Sequence, residues 1–142
     1  MATENHSRDI HARIFHKLLE VVPDLFAIEE HGSSVIEGYM DLDLDVLGRA
    51  SSRIVIALSH YYRHPSGDMI PDPDMVIAVY PGQEQAEALS YQDLYSYREV
   101  YSHDMGRVDW KAKRSLNEFL NSWLRNLIAQ GHYIGQSIRG DR

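Results

Sequence analysis

The hydrophobic positions of this chain change period twice, and each change marks a change of element. Ile10, Ile14, Phe15, Leu18, Leu19 and Val22 recur at three- and four-residue spacings after Ser7, a residue suited to an N-cap, and the run stops at Pro23. This pattern predicts an amphipathic helix of about four turns. From Val35 the period becomes two. Met40, Leu42, Leu44 and Val46 alternate with Asp41, Asp43 and Asp45, and the runs 53–62 (RIVIALSHYY) and 75–80 (MVIAVY) are rich in branched and aromatic residues that suit a pleated surface. Segment 84–91 (EQAEALSY) predicts a fourth strand after a Pro81-Gly82 turn in which Gly82 is free to take positive φ, and 94–101 (LYSYREVY) predicts a fifth. The stretch 64–74 (HPSGDMIPDPD), with three prolines, reads as a surface loop or a long hairpin connection.

The helical period returns at the end of the chain. Between Asp109 and Gln130, the residues Leu116, Phe119, Leu120, Trp123, Leu124, Leu127 and Ile128 form one stripe, and Gly131 stands where a glycine ends a helix. At ~1.5 Å per residue this helix is about 33 Å long, enough to cross a small sheet. Strands so close in sequence, with no helix between them, pair antiparallel. The expected fold is therefore α+β: a five- to six-stranded antiparallel meander with the N-terminal helix and the long C-terminal helix packed on one face. Its length suits one domain over 1–142, with a core at roughly 7–131 and a looser tail over 132–142.

Composition narrows the class. The absence of cysteine removes disulfides and thiolate chemistry, and with no signal-like or membrane-length apolar run it leads us to expect a cytoplasmic protein without a membrane span. Net charge is −7, unevenly divided: residues 1–106 carry 18 acidic against 7 basic side chains, and 107–142 carry 3 against 7. An acidic body argues against nucleic acid as a partner, because Lys and Arg contacts to phosphate supply most of such binding. No common hydrolase, zinc-peptidase or nucleotide-loop motif is present, so no cofactor or metal is expected.

The aspartate row is the first candidate for chemistry. Residues two apart on a strand lie about 6.6 Å apart, too far for three carboxylates to grip one small cation, so Asp41, Asp43 and Asp45 read as a solvated or charge-complementary outer face. His60 and His64 have a helical ligand spacing but fall at a strand end, where meeting each other, Asp72, Asp74 or His103 depends on the fold. Tyr95, Tyr97 and Tyr101 share one strand face with Glu99; packing beneath a helix is the simpler reading and stacking on a ligand the other. Arg107, Lys111, Lys113 and Arg114 cluster at the start of the last helix, where the dipole disfavours cations. Either a bound anion compensates them, with His103 and Asp104 as the nearest acid-base pair, or Asp41, Asp43 and Asp45 or the acidic proline stretch lies nearby and neutralises them, within the fold or across a dimer.

Three segments carry a family resemblance: 17–25 (KLLEVVPDL), 71–80 followed by 87–91 (PDPDMVIAVY, EALSY) and 116–131 (LNEFLNSWLRNLIAQG). Asn117, Phe119, Leu120, Trp123, Leu124 and Gly131 form the most specific part. With them the chain resembles the YqiB-like family, short uncharacterised proteobacterial proteins. That resemblance implies a cytoplasmic protein of unsettled function, encoded near nucleotide-metabolising hydrolases. Members commonly carry a His-Asp pair after the middle strand, a Tyr-Pro-Asn stretch before the final helix and an acidic-Lys start to it. Here Pro81-Gly82, Ser102-His103-Asp104 and Lys111-Ala112-Lys113 stand instead, so the resemblance assigns no catalytic residue. The expected function is a small binding or protein-interaction module of unknown partner, with a homodimer as one form. The alternative is an enzyme or sensor of a phosphorylated small molecule or nucleotide, held as a small anionic ligand at Arg107, Lys111, Lys113 and Arg114.

Overall fold

A computed structural model describes residues 6–104 and 106–135. Helix α1 (His6–Val21) is followed by strands β1 (His31–Ser34), β2 (Leu42–Arg49), β3 (Ile54–Arg63), β4 (Met69–Tyr80), β5 (Gln85–Gln92) and β6 (Tyr97–Glu99), and then by helix α2 (Trp110–Gln130). All neighbouring strands pair antiparallel, and their order across the sheet is their order in the chain. The expected α+β meander is thus present, with six strands. Among the described residues, no helix is long and apolar enough to cross a membrane.

The alternation along the strands builds two different faces. Leu42 and Leu44, Ile56 and Leu58, Met75 and Ile77, and Ala86 and Ala88 turn to one side, where they close a core with Ile14, Leu18 and Val21 of α1 and Leu116, Leu120, Leu124 and Leu127 of α2. The residues between them, Asp43, Ser59, Asp74 and Val76 among them, point to the opposite face by the period of two. Helix α2 begins as its sequence demands: Asp109 caps it by accepting from the Ala112 N–H at 2.9 Å, and Gly131 ends it at φ 90° with its N–H on the Ile128 carbonyl.

Several expectations are corrected. The backbone is already helical at His6 and Ser7, so Ser7 is not the cap. The proline stretch is largely strand: β4 begins at Met69, and Tyr61 pairs with Pro71, making a β3–β4 ribbon that outruns its neighbours. Proline is tolerated there because neither β2 nor β5 pairs with that part of β4, and the Asp72–Pro73 peptide is cis. The fifth strand shrinks to Tyr97–Glu99, since Asp93 accepts from the Tyr95 and Ser96 N–H groups and turns the chain first. The turn after Tyr80 is a short 3₁₀ segment, and the residue at positive φ is Glu84, at 54°, rather than Gly82.

The chain beyond α2 is tied down where it is described. His132 and Ile134 are buried, and the Ile134 N–H donates to the Val21 carbonyl, because the Gly131 reversal aims an apolar residue back at the core. The expected loose tail therefore does not begin at His132, and 136–142 lies outside the described residues. Gly32 makes this closure possible: a Cβ there would stand 2.5 Å from Ile134 Cγ2.

Candidate functional site

Registers across the sheet place two rows of side chains on the face without helices. One runs His31, Asp45, Ala57, Val76, Ser90, Glu99; the next runs Ser33, Asp43, Ser59, Asp74, Gln92, Tyr97. The first row is small or apolar in its middle, with Asp45 near one end and Glu99 at the other, whereas the second carries Asp43 and, in its middle, Asp74. Toward β6 this floor opens into a trough of about 480 Å³ lined by Arg53, Val76, Tyr80, Ser90, Tyr97 and Glu99, among others.

A hydrogen-bonded hub stands at the trough's wall. Glu87 accepts from Tyr80 Oη at 2.7 Å on one oxygen, and from Tyr101 Oη at 2.6 Å and Lys113 Nζ at 3.0 Å on the other. Lys113 also donates to Tyr101 Oη at 2.8 Å and lies over its ring, 5.3 Å from the centroid. Burial works against the charge on Glu87, yet the bonds from Tyr101, Tyr80 and Lys113 outweigh it and hold the carboxyl below its usual range. Lys113 shows the mirror image: burial opposes its charge, but Tyr101 and Glu87 raise its pKa. Burial and the adjacent Glu87 push Tyr80 up to about 12, so this phenol is a donor and not a base. Lys113 and Asn117 reach this position because β6 pairs only with Ser90–Gln92, leaving the first half of β5 as an edge. Asn117 fills that edge by accepting from the Ala88 N–H at 2.8 Å.

The opposite rim is looser. His31 Nδ1 lies 3.0 Å from Asp45 and Nε2 lies 4.0 Å from Asp43, both half-exposed contacts of modest strength. Asp43 is raised, by burial first and by Asp41 and Asp45 after it, with His31 opposing. A cross-strand histidine thus serves two members of the aspartate row, while the Asp41 carbonyl lies 2.8 Å from His60 Nδ1; among the described residues no group of His, Cys, Asp or Glu could hold a metal ion. Midway, Tyr61 Oη donates to Asp74 Oδ2 at 2.9 Å, while Asp74 Oδ1 is buried without a hydrogen-bond partner.

The cations anticipated at the start of α2 are only partly brought together: Lys113 and Arg114 line one cavity of about 830 Å³ with Arg13, and Arg107 and Lys111 are not among its lining. Lys113 is turned to Glu87, whereas Arg107, Lys111 and Arg114 are exposed. The compensating carboxylates are Asp109, already on the helix N-terminus, and Glu87, rather than the aspartate row. Asp104 is not oriented toward an acid-base role with His103: it accepts from Ser102 Oγ at 2.7 Å and the Gly106 N–H at 2.9 Å, bonds that lower its pKa and fold its own turn. His60, His64 and His103 do not converge. His60 is buried, its ring 5.5 Å from Trp123 and 5.8 Å from His132, while His64 is exposed on Ser66 and His103 is exposed. Tyr97 and Tyr101 lie on the helix-free face, not beneath a helix, because Glu99 between them pairs with Ser90 of that face.

Sequence reasoning missed Glu87, Tyr80 and Asp74 as parts of one surface. For Glu87 the signal was present, since it occupies the polar phase of a strand whose other phase is apolar; between Asp74 and Tyr80 the run is apolar in both phases and offers none. It missed His132 for a different reason: its partner Ser34 lies 98 residues away, at 2.9 Å from Nδ1, and no spacing announces that.

The fold and site together define a two-layer α+β protein with an acidic, tyrosine-bearing sheet face that neither helix covers. A model described as a domain of unknown function (DUF6908) matches residues 13–133, and the chain belongs to that family. No curated protein and no solved structure matches it.

Proposed function

We propose that this protein is a binding module whose helix-free sheet face takes a protein partner. The observation that carries this reading is the trough beside Glu87: a floor of small side chains, walls of tyrosine, and a rigid hub that holds its wall in one arrangement. Such a surface offers amphipathic rings at low entropic cost, as recognition surfaces do. Binding through the sheet edges has less support, because the edge strands β1 and β6 are four and three residues long. A homodimer that met face to face would bring two acidic surfaces together, which favours a different chain as the partner of this face. The same charges repel phosphate backbones, in keeping with a module that does not bind nucleic acid. The cytoplasmic location and the YqiB-like kinship belong to this reading as proposals. An enzyme or sensor of phosphorylated molecules is less supported, since Lys113 is committed to Glu87 and Asp109 occupies the helix start.

The test is photo-crosslinking in cells with p-benzoylphenylalanine at position 97, and at position 126 on the outer surface of α2 as control. Discrete adducts at 97, absent at 126 and lost on Val76→Arg, are expected. No adduct from position 97 would overturn the reading.

A further inference from the structure

Resting on that reading, we infer that the partner presents an extended cationic segment, with a Lys or Arg at each end of about seven residues and small or apolar residues between. The charge on the face requires this sign. Asp43, Asp45, Asp74 and Glu99 stand on the two rows, Arg53 is the one cation lining the trough at its side, and Lys113 is neutralised within the fold by Glu87. An acidic face with one free guanidinium attracts a basic chain and repels an acidic one.

The spacing follows from the registers. Asp45 and Glu99 end one row, on β2 and β6, four strand separations apart. At about 4.8 Å per separation, the acids lie roughly 19 Å apart. An extended chain advances ~3.3 Å per residue, so side chains at i and i+6 span that distance and fall on the same side of the segment. In the row that joins them, Ala57, Val76 and Ser90 have no long side chain and no charge, and Asp74 of the next row is taken up by Tyr61.

The two ends differ in what they hold best. At β6 the Tyr97 ring is 58% exposed and its hydroxyl donates to Glu99 at 3.2 Å, which keeps ring and carboxylate side by side. A guanidinium stacks on such a ring while pairing with the carboxylate, so this end suits Arg. At β2, Asp43 and Asp45 flank the His31 ring without an exposed aromatic of that kind, so this end takes Lys or Arg as a point charge.

The probe is the fluorescein-labelled peptide Lys-Ala-Val-Ser-Val-Ala-Arg, followed by polarisation against the full chain. Controls are the same composition with both cations adjacent, and the peptide with Glu at both ends. The end-spaced peptide is expected to bind more tightly than both, and to weaken by about fivefold with Asp45→Asn and again with Glu99→Gln, as exposed ion pairs do. Raising salt from about 50 mM to about 0.5 M should erase the difference. Binding that is absent, or equal for adjacent and end-spaced cations, or untouched by both substitutions, overturns the inference. If position 97 still yields cellular adducts in that case, the binding face stands and only its basic partner falls; if both are negative, both fall.

Discussion

Helix α2 is fastened at each end by a polar cluster, and the two clusters obey different rules. At its start, Glu87 and Lys113 are charged, and each has its hydrogen bonds met by Tyr80, Tyr101 or the other. At its end, His132 sits 3% exposed between Ser34 and the His60 ring, and its Nε2 has no hydrogen-bond partner. The comparison teaches that a part-buried pair of charges is held by a network of partners, whereas a buried neutral imidazole survives with one nitrogen unmet. Burial, rather than the missing partner, makes His132 sensitive to acid. Burial first, then the neighbouring His60, hold His132 below its usual pKa.

Removing one partner from the first cluster gives the largest expected effect. Glu87→Ala should cost about 3 kcal/mol in urea unfolding, because it strands Lys113 and two phenols, and adding Lys113→Met should recover part of that loss. If the double variant is no more stable than the single, the cluster is not acting as a unit. At the other end, Gly32→Ala should cost about 2 kcal/mol, since the new methyl group overlaps Ile134 Cγ2 and must displace the segment that carries His132. Loss of the cap in Asp109→Ala should cost about 1 kcal/mol, measured the same way.

Acid separates the clusters further. A histidine with a depressed folded pKa stabilises the fold fully above its unfolded value near 6.5, and that contribution drains away as pH falls toward the folded value. Glu87, also depressed, stays ionised until below its ordinary 4.5. Thermal unfolding between pH 7.5 and 5 should therefore show a decline that His132→Gln flattens and Glu87→Gln leaves in slope; the reverse assignment would contradict the comparison. The smallest effect belongs to the exposed rim, where His31→Ala should change stability by no more than ~0.5 kcal/mol, because its contacts to Asp43 and Asp45 are solvent-screened.

How far these features could be read from sequence follows from their range. The period-two runs and the Asp109–Gly131 frame announce β2 to β5 and α2, since each depends on neighbours a few residues apart. β1 is hidden because HGSS has no apolar alternation; it is a strand because Gly32 admits Ile134 and Ser34 accepts from Tyr133 N–H and contacts His132. The extension of β4 through its prolines is hidden likewise, since proline is a loop signal until one knows that part of the strand is unpaired on one side. At the site, the aspartate row and the tyrosines of β6 were visible as patterns. What they face was not, because which layer lies over a sheet surface is decided by the packing of α1 and α2 on the other.

A sheet whose strand order repeats its chain order also has a preferred order of assembly. Each hairpin from β2 to β6 closes a loop of a few residues, so the meander can be laid down one neighbour at a time with little entropy lost per step. The long closures are α1 against α2 and β5, and Ile134 against Val21, which join the two ends of the chain across everything between. The clasp at His132 and Ile134 is thus the part that only the finished meander can form, and its opening releases β1 while leaving the pairings of β2 to β6 in place.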